Sequence, residues 1–134
     1  MLPHDIYIRV RYGETDQMGY LYHGHYATYY EVGRTEWIRH HGLRYRDLED
    51  VHGILMPVMR LDIRYVRPAR YDDLLRVTTT LRKLPEQQMT FASEIHNEAD
   101  ELVSGATVRL GFIDRAGGSR AAPDYLIAHL RTLL

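Results

Sequence analysis

The spacing of apolar positions divides this chain into one long helical segment and several alternating ones. Residues 6–12 alternate apolar and polar side chains, which predicts a first β-strand. From residue 26 to about residue 41 the apolar side chains recur at helical spacing, and Gly42 stands where a helix commonly ends. Alternation then returns and predicts four more strands, at residues 59–65, 75–82, 89–96 and 102–114.

Two shorter segments complete the predicted elements. Residues 45–50 predict a short helix, and a terminal helix begins at Pro123 and Asp124. Several strands have one apolar and one polar face, so we expect a largely antiparallel sheet that is covered on one side. The helix that begins near residue 26 is the only long element before the last four strands. We therefore expect an α+β fold in one domain over residues 1–134.

Composition and charge remove several classes of function. Lys and Arg (17) nearly balance Asp and Glu (18), so no global field favours nucleic acid or a membrane surface. Residues 1–10 predict a strand rather than a signal peptide, and no apolar run is long enough to span a membrane. The absence of cysteine excludes disulfides and thiol chemistry, and it fits a cytoplasmic protein.

The aromatic residues predict an assembly of subunits. The chain has 11 tyrosines and 2 phenylalanines. A tyrosine ring is apolar with one polar end, which suits interfaces and ligand pockets. One long helix and five strands leave much of this tyrosine-rich surface uncovered, so we expect a dimer.

The candidate chemistry lies between the first strand and the long helix. Asp16 precedes a loop that contains Gly19, His23 and His25, and the helix begins at Tyr26. The first N–H groups of a helix have no intrahelical acceptor and can stabilise a developing negative charge. A carboxylate just upstream of such donors is the minimum equipment for hydrolysing an activated acyl group.

Two other interpretations of this loop remain open. Asp before a helix is usually a capping or loop carboxylate, although Asp16 lies too far from Tyr26 to cap this helix. Asp16, His23 and His25 have side chains that bind metals, but a closed site of this kind usually needs a further ligand. We therefore predict no metal.

The same stretch resembles a known family. Residues 12–26, Tyr-Gly-Glu-Thr-Asp-Gln-Met-Gly-Tyr-Leu-Tyr-His-Gly-His-Tyr, are similar to the signature of the 4-hydroxybenzoyl-CoA thioesterase-like hotdog family. The branch that they most resemble is the acyl-CoA thioesterases associated with the Tol–Pal system, and residues 65–73 also resemble that family. The resemblance implies a hotdog fold, in which a five-stranded antiparallel sheet wraps one long central helix. It also implies a homodimer that assembles to a homotetramer, and hydrolysis of acyl-CoA without a cofactor.

The resemblance also implies roles for individual residues. The family's catalytic aspartate falls on Asp16, as general base or nucleophile, and the backbone N–H that polarises the thioester carbonyl falls on His23. The expected substrate-binding residues are Gly19, Tyr22, His25, Tyr26, Met59 and Arg67. Candidates for the wall of the acyl pocket are Met18, Tyr20, Tyr22, Met56 and Met59, each with core packing as the alternative. The chain departs from the family at His25, where Asn is frequent, and at Glu14, where Asp is frequent.

Two rival functions share the predicted fold. A hotdog hydratase or dehydratase places its acidic residue and histidine differently, and the spacing Asp16-x-x-Gly19 speaks against it. A non-catalytic acyl-CoA-binding module would need an effector domain. The acyl group, the choice between coenzyme A and an acyl carrier protein as donor, and the basic residues that contact coenzyme A phosphates stay open.

Overall fold

The computed structural model describes residues 2–134, apart from the side chain of Tyr45. Met1, which the predicted N-terminal strand segment included, lies outside the described residues. The elements in chain order are β1 Pro3–Arg9, α1 Tyr26–His40, α2 Tyr45–Asp50, β2 Val58–Tyr65, β3 Leu74–Leu81, β4 Gln88–His96, β5 Leu102–Ile113, β6 Ser119–Arg120 and α3 Asp124–Arg131. Two 3-10 helices, Tyr12–Glu14 and His23–His25, precede α1. The predicted long helix, short helix, terminal helix and four later strands are confirmed.

All strand pairs are antiparallel, in the order β1-β3-β4-β5-β2, and β6 pairs with the end of β5. This is the hotdog arrangement of one antiparallel sheet and one long helix. The predicted number of five strands is wrong, because the described residues form six. The sixth strand, Ser119–Arg120, is too short to show any alternation, and its sequence is typical of a turn that closes β5.

The first strand ends earlier than its sequence pattern predicts. Apolar and basic residues alternate as far as Tyr12, but β1 pairs with β3 only from Pro3 to Arg9, where its partner strand begins at Leu74. Residues beyond Arg9 have no neighbouring strand to continue the ladder. They turn into the 3-10 helix that buries Glu14. Alternation thus predicts the strand, and the length of its partner decides where it stops.

Helix α1 packs its apolar side against β1 and β3. One core cluster surrounds Trp37 and Phe91 and receives α3, and a second surrounds Tyr29 and Tyr30 near the start of α1. The helix lies very close to the sheet at Gly33, where an added Cβ would stand 2.9 Å from both Val77 Cγ1 and Thr79 Oγ1. Glycine therefore sets the distance between helix and sheet.

Strand β2 is an edge of the sheet, and its apolar side chains are unusually exposed. Met59 is 60% exposed and Tyr65 is 52% exposed, with Val58 and Val66 close behind. An edge strand also leaves one row of backbone donors and acceptors unpaired. This edge, like the edge at β1, is open to pairing with another chain. Within residues 2–134, no helix is long and apolar enough to cross a membrane.

Candidate active site

Asp16 opens a tight turn, residues 16–20, which we call the Asp16 turn. The N–H of Asp16 donates to the carbonyl of Tyr20 (2.8 Å), and the N–H of Gly19 donates to the carbonyl of Asp16 (2.9 Å). Gly19 has φ +79°, a left-handed conformation that favours glycine. The turn therefore explains why Gly19 follows Asp16 at this spacing.

Only one oxygen of the Asp16 carboxylate is used by this turn. Oδ1 accepts hydrogen bonds from the N–H groups of Met18 (2.9 Å) and Tyr20 (3.2 Å). Oδ2 has no hydrogen-bond partner among residues 2–134. The side chain is half-buried and lines a cavity. Asp16 is thus a loop carboxylate, in agreement with one of the open interpretations, and it also presents a free oxygen.

Two other turns repeat the same hydrogen bonds, and they show what the turn itself requires. In residues 97–101, Asn97 Oδ1 accepts from the N–H groups of Ala99 (3.1 Å) and Glu101 (2.9 Å). In residues 114–118, Asp114 Oδ1 accepts from the N–H groups of Ala116 (3.0 Å) and Gly118 (2.9 Å). We call these the Asn97 turn and the Asp114 turn. Since an amide serves at position 97, the turn needs an acceptor oxygen and no negative charge.

The start of α1 lies beside the Asp16 turn. The N–H of Tyr22 donates to the carbonyl of Glu14 (2.9 Å), so the chain runs back along residues 14–16 before it reaches His23. The N–H groups of His23 and Gly24 donate to no acceptor within residues 2–134. The Tyr65 hydroxyl donates to the carbonyl of His23 (3.1 Å) and holds this segment from the side of β2.

One cavity, of about 290 Å³, is lined both by Asp16 and by residues at the start of the helix. Its lining residues are Asp16, Met18, Tyr20, Leu21, His23, Tyr26, Tyr65, Val66, Arg67 and Pro68. Four of the expected site residues, Asp16, His23, Tyr26 and Arg67, therefore come together there. Two of the candidate wall residues, Met18 and Tyr20, join them.

The other expected residues lie outside that lining. Gly19 shapes the turn, and the ring of Tyr22 covers Gly24, where an added Cβ would stand 2.7 Å from Tyr22 Cε2. His25 precedes α1 without capping it through its side chain. Met59 packs over Gly111 on β5, 3.2 Å from the position of an added Cβ, and lines a different cavity. The structure does not bring Met59 to Asp16.

Sequence reasoning missed the contribution of the end of β2. Tyr65, Val66 and Pro68 line the cavity, and Tyr65 also contacts Tyr26 edge to face, with ring centroids 5.0 Å apart. These residues are some 40 positions from the turn, as the hydrogen bond between Tyr65 and His23 spans 42 residues. The family resemblance of residues 65–73 was the one sequence signal that pointed to them.

Arg67 is already paired at the rim of the cavity. Its guanidinium donates to the Glu101 carboxylate, which belongs to the Asn97 turn. Both side chains are partly exposed, so their attraction is screened by water and worth little. Arg67 can therefore exchange this partner for an anionic ligand at small cost.

Glu14 is the most strongly perturbed carboxylate near the site. Its side chain is buried, and hydrogen bonds from Arg11 and Tyr29 outweigh the effect of burial, so the pKa falls from 4.5 to about 2. Burial and the same contact raise the pKa of the Tyr29 hydroxyl. Burial also raises the pKa of Tyr26. Glu14 is therefore charged, and both tyrosines are neutral, at physiological pH.

The two histidines of the loop do not build a metal site with Asp16. Within residues 2–134, no group of three His, Cys, Asp or Glu side chains lies close enough to hold a metal ion. The ring of His23 instead contacts the ring of Tyr22, at 4.4 Å between centroids. The expectation of a reaction without metal stays a prediction.

The position of Asp16 and His23 around one cavity agrees with the family that the chain matches. The thioesterase superfamily matches residues 18–104. The chain belongs to this family. This thioesterase superfamily member is 40% identical over 127 residues, covering 91% of both chains, to YneP of Bacillus subtilis (strain 168), which is provisionally named an acyl-CoA thioesterase.

Two further proteins support the same family. The acyl-CoA thioester hydrolase YbgC of Escherichia coli O157:H7 is 30% identical over 125 residues, which are 92% of each chain. The structure of a DHNA-CoA thioesterase from Staphylococcus aureus superposes on this superfamily member with a TM-score of 0.88 at 31% identity, covering 99% of this chain and 93% of the other. The family expected from residues 12–26 is therefore confirmed, although the matched segment begins two residues after Asp16.

Proposed function

We propose that this protein is an acyl-CoA thioesterase that hydrolyses a thioester to a free acid and coenzyme A within one hotdog domain over residues 1–134. One observation carries the proposal: Asp16, whose Oδ2 has no hydrogen-bond partner among the described residues, and His23, just before α1, line the same cavity. The N–H groups of His23 and Gly24 have no acceptor in the described chain. The cavity would thus bring together a base or nucleophile and an oxyanion donor, as acyl transfer requires.

The proposed reaction uses these groups in order. The thioester carbonyl oxygen accepts a hydrogen bond from the N–H of His23, which draws electron density from the carbonyl carbon. Water attacks that carbon while Asp16 takes its proton, the C–S bond breaks, and the departing sulfur receives the proton. In the alternative route Asp16 itself attacks the carbon, the C–S bond breaks as the anhydride forms, and coenzyme A leaves as a thiolate that takes a proton from solvent. Water then cleaves the anhydride, which releases the acid and restores the Asp16 carboxylate.

The cavity lining supports binding of an apolar acyl group next to these groups. Leu21, Val66 and the rings of Tyr26 and Tyr65 form most of the apolar wall. Arg67 lies at the rim and would contact a phosphate of coenzyme A in place of Glu101. Gly19 and His25 contribute by shaping the turn and the start of the helix, and Tyr22 by covering Gly24. No cofactor enters the proposed reaction, and its proposed compartment is the cytoplasm.

The test replaces Asp16 by asparagine. Asn keeps the Oδ1 acceptor that the turn needs and removes the charge, and Asn97 already performs this structural role. We expect kcat to fall about 100- to 10,000-fold on the best substrate of an acyl-CoA panel, with the melting temperature unchanged. Thiol release and thermal unfolding are measured together.

Asp114→Asn is the matched control, because the Asp114 turn has the same hydrogen bonds away from the cavity. It should leave kcat unchanged. An Asp16→Asn protein that keeps more than about a tenth of wild-type kcat, with chemistry rate-limiting, would refute the mechanism. Hydration of crotonyl-CoA in place of thiol release would favour the hydratase, and tight acyl-CoA binding without turnover would favour the binding module.

The proposal includes a homodimer that assembles further to a homotetramer. The exposed apolar side chains of edge strand β2 support it, since Val58, Met59 and Tyr65 are about half exposed or more in the single chain. Pairing two β2 edges would satisfy their backbone groups and cover these side chains. Sedimentation at micromolar concentration checks the assembly, and a folded, active monomer there would contradict it.

A further inference from the structure

Glu14 is a buried carboxylate that the proposed reaction does not use. It is 8% exposed and receives three hydrogen bonds. Oε1 accepts from the N–H of Arg11 (3.0 Å) and from the Tyr29 hydroxyl (2.6 Å), and Oε2 accepts from Arg11 Nη2 (2.9 Å). A buried carboxylate with full hydrogen bonding is stable where it lies, and its position is well determined.

These contacts connect the two parts of the candidate site. Glu14 stands two residues before Asp16, and its carbonyl accepts the N–H of Tyr22, directly before His23. Its side chain reaches Tyr29, a fully buried residue in the first turns of α1. One residue therefore holds the segment that carries Asp16, the segment that leads to His23, and the helix that follows.

The reaction depends on the distance between these parts. The Asp16 oxygen must reach the carbonyl carbon while the N–H of His23 reaches the carbonyl oxygen, and a displacement of about 1 Å can cost about 100-fold in rate. Residues 17–19 of the Asp16 turn are exposed. Its internal hydrogen bonds fix its shape, and the bridge between Tyr20 and Arg70 ties it to the segment before β3, but neither fixes its distance from α1. The hydrogen bond between Tyr29 and Glu14 supplies that second constraint.

We propose that Glu14 is a positioning residue, which holds the Asp16 turn at a fixed distance from the start of α1 through its hydrogen bond with Tyr29. This inference rests on the proposed thioesterase function. Glu14 does not touch substrate, so its removal lowers kcat and leaves KM unchanged. Its charge matters less than the acceptor oxygen that Tyr29 reaches.

Tyr30 provides a matched control on the same helix. Tyr29 and Tyr30 are both 1% exposed, and each hydroxyl donates one buried hydrogen bond, Tyr30 to Ser104 Oγ at 2.7 Å. Tyr29→Phe and Tyr30→Phe each remove one such bond without changing the ring. We expect both to lower the melting temperature, and only Tyr29→Phe to lower kcat, by about tenfold with KM unchanged.

Two substitutions of Glu14 separate acceptor from charge. Glu14→Gln keeps an oxygen for the Tyr29 hydroxyl and should retain most of kcat, whereas Glu14→Ala removes the contact and should lose about 100-fold. If Glu14→Ala fails to fold, the two tyrosine variants still decide the question.

The outcomes distinguish this inference from the proposed function. A wild-type protein without thioesterase activity, or with activity that survives Asp16→Asn, overturns the proposed function and this inference with it. An active wild type in which Tyr29→Phe and Tyr30→Phe have the same kcat overturns the inference alone. A Tyr29→Phe effect on KM rather than kcat also overturns it, because Glu14 would then act on substrate binding.

Discussion

The Asp16 turn and the Asp114 turn have the same hydrogen bonds, but their second carboxylate oxygens differ in whether another side chain binds them. In each, a glycine at the fourth position has positive φ, +79° at Gly19 and +87° at Gly117. Arg120 Nε, in β6, donates to the Asp114 Oδ2 at 3.0 Å. The corresponding oxygen of Asp16 has no partner among the described residues, and Asp16 lines the cavity.

The comparison separates a structural role from a chemical one within a single residue type. Both aspartates close a turn, and Asn97 shows that an amide closes it equally well. The turn does not need the negative charge of either aspartate. Arg120 pairs with the charge of Asp114, whereas the charge of Asp16 has no such partner among the described residues. Asp16 is therefore a functional candidate because of what surrounds its second oxygen, and not because of the motif that it shares.

Apart from the replacement of Asp16 itself, the largest effect is expected at the start of α1, which lies beside the Asp16 turn. His23→Pro removes the N–H that is proposed to stabilise the oxyanion, which should cost about 100- to 1000-fold in kcat. His23→Ala keeps that N–H and should lose much less. Steady-state kinetics on two folded variants compare them. If alanine proves as damaging as proline, the imidazole ring takes part in the chemistry and the assignment is wrong.

A smaller effect is expected from matched changes of the two turn glycines. An added Cβ meets no atom within 4 Å at Gly19 or at Gly117, so alanine at either position carries only the backbone cost, about 1–2 kcal/mol. Urea unfolding should therefore give similar losses in the free energy of unfolding. Only Gly19→Ala should also lower kcat, since it strains the turn that carries Asp16 in the cavity wall. Equal kcat values for the two variants would remove the functional distinction between the turns.

The smallest effect concerns acid stability, because Glu14 anchors the segment that leads into the Asp16 turn. The pKa of Glu14 is about 2 in the folded protein and 4.5 in the unfolded reference, so its contribution to stability is full above pH 4.5 and is lost as the pH falls towards 2. Glu14→Gln lacks this contribution. The difference in melting temperature between wild type and variant should therefore shrink from about pH 5 to about pH 3. A constant difference would show that the Glu14 carboxylate is not stabilised in its charged form.

Much of the fold was predictable because its elements follow local periodicity. Helix α1 and strands β2 to β5 fall within one or two residues of their predicted bounds. The end of β1 was not predictable from local periodicity. The strand stops at Arg9 because Arg9 pairs with Leu74, the first residue of its partner β3. Strand β6 was missed since two residues carry no periodic signal.

The site was predictable where its residues are neighbours in the sequence. Asp16, His23 and Tyr26 belong to one continuous stretch, and the family resemblance of residues 12–26 indicates all three together. Tyr65 arrives from the far side of the sheet, and nothing local indicates its bond to His23. Met59 was expected among the substrate-binding residues, but it lies against Gly111, beside the irregular pairing of β2 with β5 near Val58, so that role stays a prediction.

The close approach at Gly33 has a consequence for how substrate preference can change in this architecture. Gly33 lies seven residues into α1, about 10 Å along the axis from Tyr26 in the cavity wall. A methyl group there would stand 2.9 Å from Val77 Cγ1 and Thr79 Oγ1, so the helix and these side chains would have to move apart. Because the hydrogen bond between Tyr29 and Glu14 joins α1 to the segment before Asp16, a movement of the helix would act on the Asp16 turn as well, and substrate preference could not be changed from Gly33 alone.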